Sequence, residues 1–175
     1  MGVVPTLNES VHQGASSLDN LEKLPYLNGV INEALRLYPV IPLTSRIAIC
    51  DTSIGGKPIP KGTEVLVSPW IINRALESWG DTASVFDPSR WIDGGRPNTH
   101  GKTKNHHDLM TFLHGPRSCI GVHFAKAELR CLVASMVTRF DWTLGMPDSE
   151  VVPGGVISIT PLQGLRLKLR RVDRT

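Results

Sequence analysis

Residues 112–121 read Phe-Leu-His-Gly-Pro-Arg-Ser-Cys-Ile-Gly and concentrate more reactive side-chain chemistry than any other stretch of the chain. Cys119 stands where a helical pattern begins. Unpaired backbone N–H groups and the positive end of a helix dipole there stabilise an anionic sulfur. Gly115 permits the backbone to turn tightly beneath a flat ligand, and Gly121 is expected to leave room beside the sulfur. Arg117 brings a permanent charge and a planar fork suited to a carboxylate. These residue types suit a thiolate metal ligand with an anionic cofactor nearby. A small buried cysteine at a loop–helix junction fits the same letters, and nothing in the spacing names a metal. Histidines gather around the loop (His100, His106, His107, His114 and His123), but no Cys-x-x-Cys or His-x-x-x-His arrangement supports zinc.

Two further segments carry charge at telling positions. Glu33 and Arg36 lie three apart on a predicted helix, opposite its apolar stripe. By spacing alone they form a solvated ion pair worth roughly a few tenths of a kcal/mol. Arg90 follows in Phe86-Asp87-Pro88-Ser89-Arg90-Trp91. In order and spacing, the three segments resemble the cytochrome P-450 family. Phe112, Gly115, Arg117, Cys119 and Gly121 fill every position of its haem-loop pattern, and Glu33 and Arg36 match its Glu-x-x-Arg helix. Residues 86–91 are similar to its Pro-Glu-Arg-Phe segment, with Ser89 in place of Glu. Leu24-Pro25-Tyr26, and Trp91 before a long polar loop, look like the fungal microsomal branch.

The resemblance implies haem b, with Cys119 as the catalytic axial thiolate on its iron and Phe112 shielding the sulfur. Arg117 would pair with one propionate and Arg46 with a second. Glu33, Arg36 and Arg90 would form a buried cluster that holds the cysteine loop. The implied reaction inserts one oxygen atom from O2 into a small apolar organic substrate, with electrons from NADPH through a reductase. Substrate contacts fall on Ile41, Leu43 and Thr44 and on Gly155, Val156 and Ile157. Lys126 and Arg130, four apart on a helix, suggest a basic patch for the reductase, which an ordinary solvated face explains nearly as well. A family isomerase or dehydratase, or a non-catalytic haem-binding remnant, would carry the same motifs.

The resemblance covers only the C-terminal third of a family member, so residues 1–175 are expected to form one partial domain. The family's oxygen-activating helix and N-terminal membrane anchor find no counterpart here. Relatives of full length reside in the endoplasmic reticulum membrane, whereas a chain without the anchor is expected to be cytoplasmic. With its distal face uncovered, such a chain is expected to bind haem weakly and turn over poorly.

The elements that must position these residues follow from periodicity and punctuation. Ser16 or Ser17 caps a short helix through Leu24, and Pro25 opens a second. In that helix Leu27, Val30, Ile31, Ala34, Leu35 and Tyr38 recur at helical spacing, and Pro39 ends it. Strands are expected at 45–50 and 63–68, with a hairpin turn at Gly55-Gly56 between them. A short helix spans 69–75, anchored turns 76–93 and a solvated loop 94–108. A long helix runs over 120–139 with Cys131 in its core, and 156–160 and 165–172 pair as a half-buried hairpin. The class is α+β.

Composition narrows the rest. In 175 residues, 41% are hydrophobic and 20% charged, enough apolar material for a packed core. A net charge of +3 is too even for a dedicated nucleic-acid binder. Three cysteines build no disulfide framework, which points to a reducing compartment. No run reaches the roughly 18 apolar residues of a membrane span.

Overall fold

In the computed structural model, which describes residues 11, 17–103, 105–155 and 157–172, the Ser17 hydroxyl accepts the Asn20 N–H and starts helix α1 (Leu18–Lys23). Pro25 occupies the first turn of α2 (Pro25–Leu37). Asn28 joins the two helices, because its amide nitrogen donates to the Leu21, Glu22 and Leu24 carbonyls at the end of α1. Leu27 and Ile31 of α2 pack with Leu21 against Ala134 and Val137 of the long helix α5 (Val122–Arg139), and Val11 completes this core.

The opposite face of α2 is buried as well. Gly29, Asn32, Glu33 and Arg36 all lie inside, covered by the segment that ends in the 3-10 turn Pro88–Trp91. This second layer overturns the solvated ion pair that helical spacing alone suggests for Glu33 and Arg36, since both side chains are 0% exposed. A smaller core of Trp79, Ala83 and Trp91 sits beneath it, with the two indoles 5.8 Å apart.

The described strands pair two by two in antiparallel ribbons. Strand β1 (Thr44–Ile47) pairs with β4 (Glu64–Val67), and the β2 (Thr52–Ile54) and β3 (Lys57–Ile59) hairpin turns at Gly55 and Gly56, both at positive φ. Helices α3 (Pro69–Ile72) and α4 (Leu76–Trp79) follow, then the β5 (Ile92–Asp93) and β6 (Arg96–Pro97) hairpin. After α5, strand β7 (Phe140–Leu144) pairs with β10 (Leu167–Arg171), while β8 (Pro153–Gly154) pairs with β9 (Thr160–Pro161). The class is α+β. Among the described residues, no helix is long and apolar enough to cross a membrane.

Four expectations change. Residues 167–171 pair with β7, the strand that follows α5, rather than with 156–160, and the ribbon leaves Leu167 and Leu169 exposed instead of half-buried. The first strand stops at Ile47, so Cys50 lies beyond it. Cys131 is exposed on α5, not a core residue. Residues 94–108 are not wholly solvated: Gly101 is buried at positive φ, where a Cβ would sit 2.9 Å from the Trp79 ring.

Candidate cofactor site

The cysteine loop is held by its own backbone. The Cys119 N–H donates to the Phe112 carbonyl at 2.8 Å, and the Ser118 N–H to that of Gly115 at 3.0 Å across a 3-10 turn (Gly115–Arg117). Gly115 has φ +71°, the conformation that favours glycine. Leu113 adopts φ +59°, strained for a side chain of its size, and occupies the wall of the cleft beside the sulfur. Gly121 caps α5, and no side chain caps that end. A Cβ there would meet the Cys119 Sγ at 3.9 Å, ordinary contact, so the chain itself does not require glycine to clear the sulfur.

Cys119 is exposed and forms part of the wall of an apolar cleft of about 230 Å³. Leu35, Val40, Ile41, Thr44 and Phe112 line it too, and Arg117 stands at the same wall. A neighbouring cleft of about 230 Å³ brings Arg117 together with Arg46 from β1 and with Thr44. Arg46 is exposed, and its guanidinium donates to the Thr44 hydroxyl and the Ser45 carbonyl. Ile120, in the loop just before α5, and Phe124, on the helix, are both exposed, at 102% and 74%. A single soft sulfur donor, apolar walls and two guanidinium forks suit a flat apolar ligand with carboxylates along one edge. His114 of the loop packs with His106 and His107, their ring centroids 3.9 to 5.5 Å apart. Among the described residues, no group of three or more His, Cys, Asp or Glu is placed to hold a metal ion.

Of the residues expected at a substrate, Ile41 and Thr44 line the cleft with Cys119. Leu43 is exposed and takes no part in its wall. Gly155 stands at φ +142° in a turn so close that a Cβ would lie 2.0 Å from the Ser158 carbonyl oxygen, which accounts for the glycine. The turn still approaches the entrance segment, because the Ile159 N–H donates to the Val40 carbonyl at 2.7 Å. Ile157 is exposed, and Val156 lies outside the described residues.

Lys126 and Arg130 do not form a free basic patch. The Arg130 Nε donates to the Asn28 Oδ1 and its Nη1 pairs with Glu22 at 3.0 Å. Lys126 borders the cleft behind Cys119, 6.0 Å from the Phe112 ring centroid. Burial, reinforced by Arg130, pushes its ammonium below the usual lysine range.

Glu33 and Arg36 anchor a dense polar core. All five Arg36 N–H groups have acceptors: both Glu33 oxygens and the carbonyls of Asn73, Ala83 and Val85. Its guanidinium also lies 4.7 Å from the Trp79 ring centroid. Glu33 accepts further from the Asp87 N–H and the Trp91 indole N–H at 2.9 Å each. Burial pushes its carboxyl up, but these donors outweigh it and the net direction is down. Arg90 sits 3.4 Å from Glu33 through its Nε, yet that buried Nε has no hydrogen-bond acceptor among the described residues, and its fork holds Thr82 instead.

Two hydrogen-bonding roles in this core are not given by the motifs, although Trp91 itself closes the segment 86–91. The Trp91 indole looks like an ordinary aromatic anchor until its contact with Glu33 is seen. Asn73, fully buried, joins the Arg36 region to the start of the cysteine loop. Its only sequence mark is a lone amide ending the apolar run Trp70-Ile71-Ile72.

Residues 7–163 match the cytochrome P-450 family model. The chain is 47% identical over 152 residues to a cytochrome P-450 monooxygenase of Penicillium ochrochloron, covering 86% of this chain and 30% of that protein. It is 44% identical to a cytochrome P-450 monooxygenase of Aspergillus fumigatus, over 87% of this chain and 28% of that one. A cytokinin hydroxylase of Arabidopsis thaliana is 35% identical, over 95% of this chain and 32% of its own. This chain spans about a third of the length of the curated relatives it matches. On motifs, site and kinship together, the chain belongs to the cytochrome P-450 family.

Proposed function

We propose that residues 1–175 supply the cysteine-bearing part of a haem-thiolate monooxygenase, a single partial domain of the longer architecture seen in its relatives. Cys119 would ligate the iron of haem b from a loop shaped by Phe112, Gly115 and Gly121, while Arg117 and Arg46 would take the propionates. The observation that carries this reading is an exposed sulfur on the wall of an apolar cleft that Arg117 shares with it and with a neighbouring cleft bearing Arg46. Bound haem supplies O2 activation, and thiolate donation favours O–O cleavage. The chain's own part is to hold the carboxylates, keep water from the sulfur with Leu113 and Phe112, and orient a small apolar substrate along Ile41 and Thr44. Electrons would come from NADPH through a reductase, whose contact is not assigned to Arg130, since Asn28 and Glu22 already hold it.

Ile120 and Phe124, exposed beside the cysteine loop, are the kind of surface that a ligand and further polypeptide cover. The isolated chain is therefore expected to take up haem weakly and to oxidise substrate poorly. The test is reconstitution with haem b, reduction, and a carbon monoxide difference spectrum, with Cys119→Ser alongside. Loss of the thiolate-type band in the variant is expected. An unchanged spectrum would sink the assignment of Cys119. Product analysis with a reductase and NADPH then separates an enzyme from a haem-binding remnant.

A further inference from the structure

We infer that Asn73 is a positioning residue for Cys119, clamping the first residues of the cysteine loop onto α2; this rests on the reading of Cys119 as the haem-iron ligand. Asn73 ends helix α3, and its side chain is 0% exposed. Its Oδ1 accepts the Met110 N–H at 2.7 Å. Its Nδ2 donates to the Thr111 hydroxyl at 2.8 Å and to the Arg36 carbonyl at 3.1 Å. Its own carbonyl accepts from the Arg36 guanidinium at 2.8 Å.

The path then continues toward the sulfur. Thr111 donates its hydroxyl proton to the Leu35 carbonyl at 2.8 Å, so the residue before Phe112 is tied to α2 twice, once directly and once through Asn73. Phe112 in turn accepts the Cys119 N–H. Among the described residues, the Glu33–Arg36–Arg90 cluster makes no hydrogen bond to residues 110–119, and Arg36 reaches them by way of Asn73. Only a primary amide of this length offers one acceptor and two donors in this arrangement. A carboxylate would keep the bond from Met110 but lose both donors, and leucine would fill the volume with neither.

A folding role alone would also place a satisfied amide here, so the test must read the loop itself. Hydrogen exchange in the haem-free chain follows the Met110 and Cys119 amides, and the carbon monoxide spectrum of the reconstituted chain follows iron–sulfur ligation. Asn73→Leu is expected to speed exchange at both amides about tenfold and to lower the thiolate-type fraction of the spectrum. Val137→Ala, in the other core, serves as a control matched in lost thermal stability and is expected to leave both readouts unmoved. If Asn73→Leu does not fold, Thr111→Val removes the hydroxyl link without changing volume, and Thr111→Ser restores it. Recovery by serine supports the clamp. Equal exchange in the Asn73 or Thr111 variants and in the Val137 control overturns it. Should Cys119→Ser keep the spectrum while Asn73→Leu still loosens the amides, the ligand assignment fails and the clamp stands as a loop anchor only.

Discussion

Glu33 accepts four hydrogen bonds, two from Arg36, one from the Asp87 N–H and one from Trp91, and the Glu33 and Arg36 side chains are fully buried. An ion pair in that setting owes its geometry to the pairing, and removing one partner strands the other charge. Glu33→Ala is expected to cost about 3–5 kcal/mol in urea unfolding. A loss below about 1 kcal/mol would mean a solvated pair, as helical spacing alone implies. The residue types of this site were legible from the letters, because a Glu and an Arg one helical turn apart must face the same way. Their burial was not legible in the spacing; only the family resemblance implied it. It depends on Asp87, 54 residues along the chain, and on Trp91 beyond it. Trp91 and Asn73 are invisible to spacing for the same reason, since each acts through one long-range hydrogen bond or a few.

Helix α2 behaves as a two-sided element. One side carries Leu27 and Ile31 into the core with α5, and the other receives the turn at Pro88 through the bare Cα of Gly29. A Cβ at that position would lie 2.6 Å from the Pro88 carbonyl oxygen. Alanine raises intrinsic helix propensity by about 1 kcal/mol. The clash with backbone opposes it, and overpacking typically costs about 1–3 kcal/mol. Gly29→Ala is therefore expected to lower the urea midpoint despite being the better helix former. A higher midpoint would show that the two elements part easily. The ends of α2 were readable, Pro25 opening it and Pro39 closing it. The partner of β10 was not, because alternation marks a strand without naming which edge it joins.

For the molecule as a whole, acid stability follows from the same polar layer. Glu33 titrates below its ordinary 4.5 when folded. The Ser89 hydroxyl bond likewise holds Asp87 below 3.8, against the opposing push of burial. A carboxyl depressed in the folded state contributes fully above its unfolded value. As pH falls the unfolded chain takes up the proton first, so the contribution shrinks and is gone below the depressed value. The urea midpoint is expected to fall as pH drops below about 4.5, and Glu33→Ala to flatten that fall. A midpoint that holds or rises through this range would contradict the depressed carboxyls. What the sequence by itself determined is local: the cysteine loop, the helix that follows it, the two ends of α2 and the turns at glycine. Periodicity and turn chemistry act over a few residues, so they can be read there. Only the tertiary structure decided which segment covers Glu33 and Arg36, that β10 joins β7, and that Asn73 links α2 to the loop of Cys119. A side chain's polarity says which neighbours it needs, and only the folded chain says which distant segment provides them.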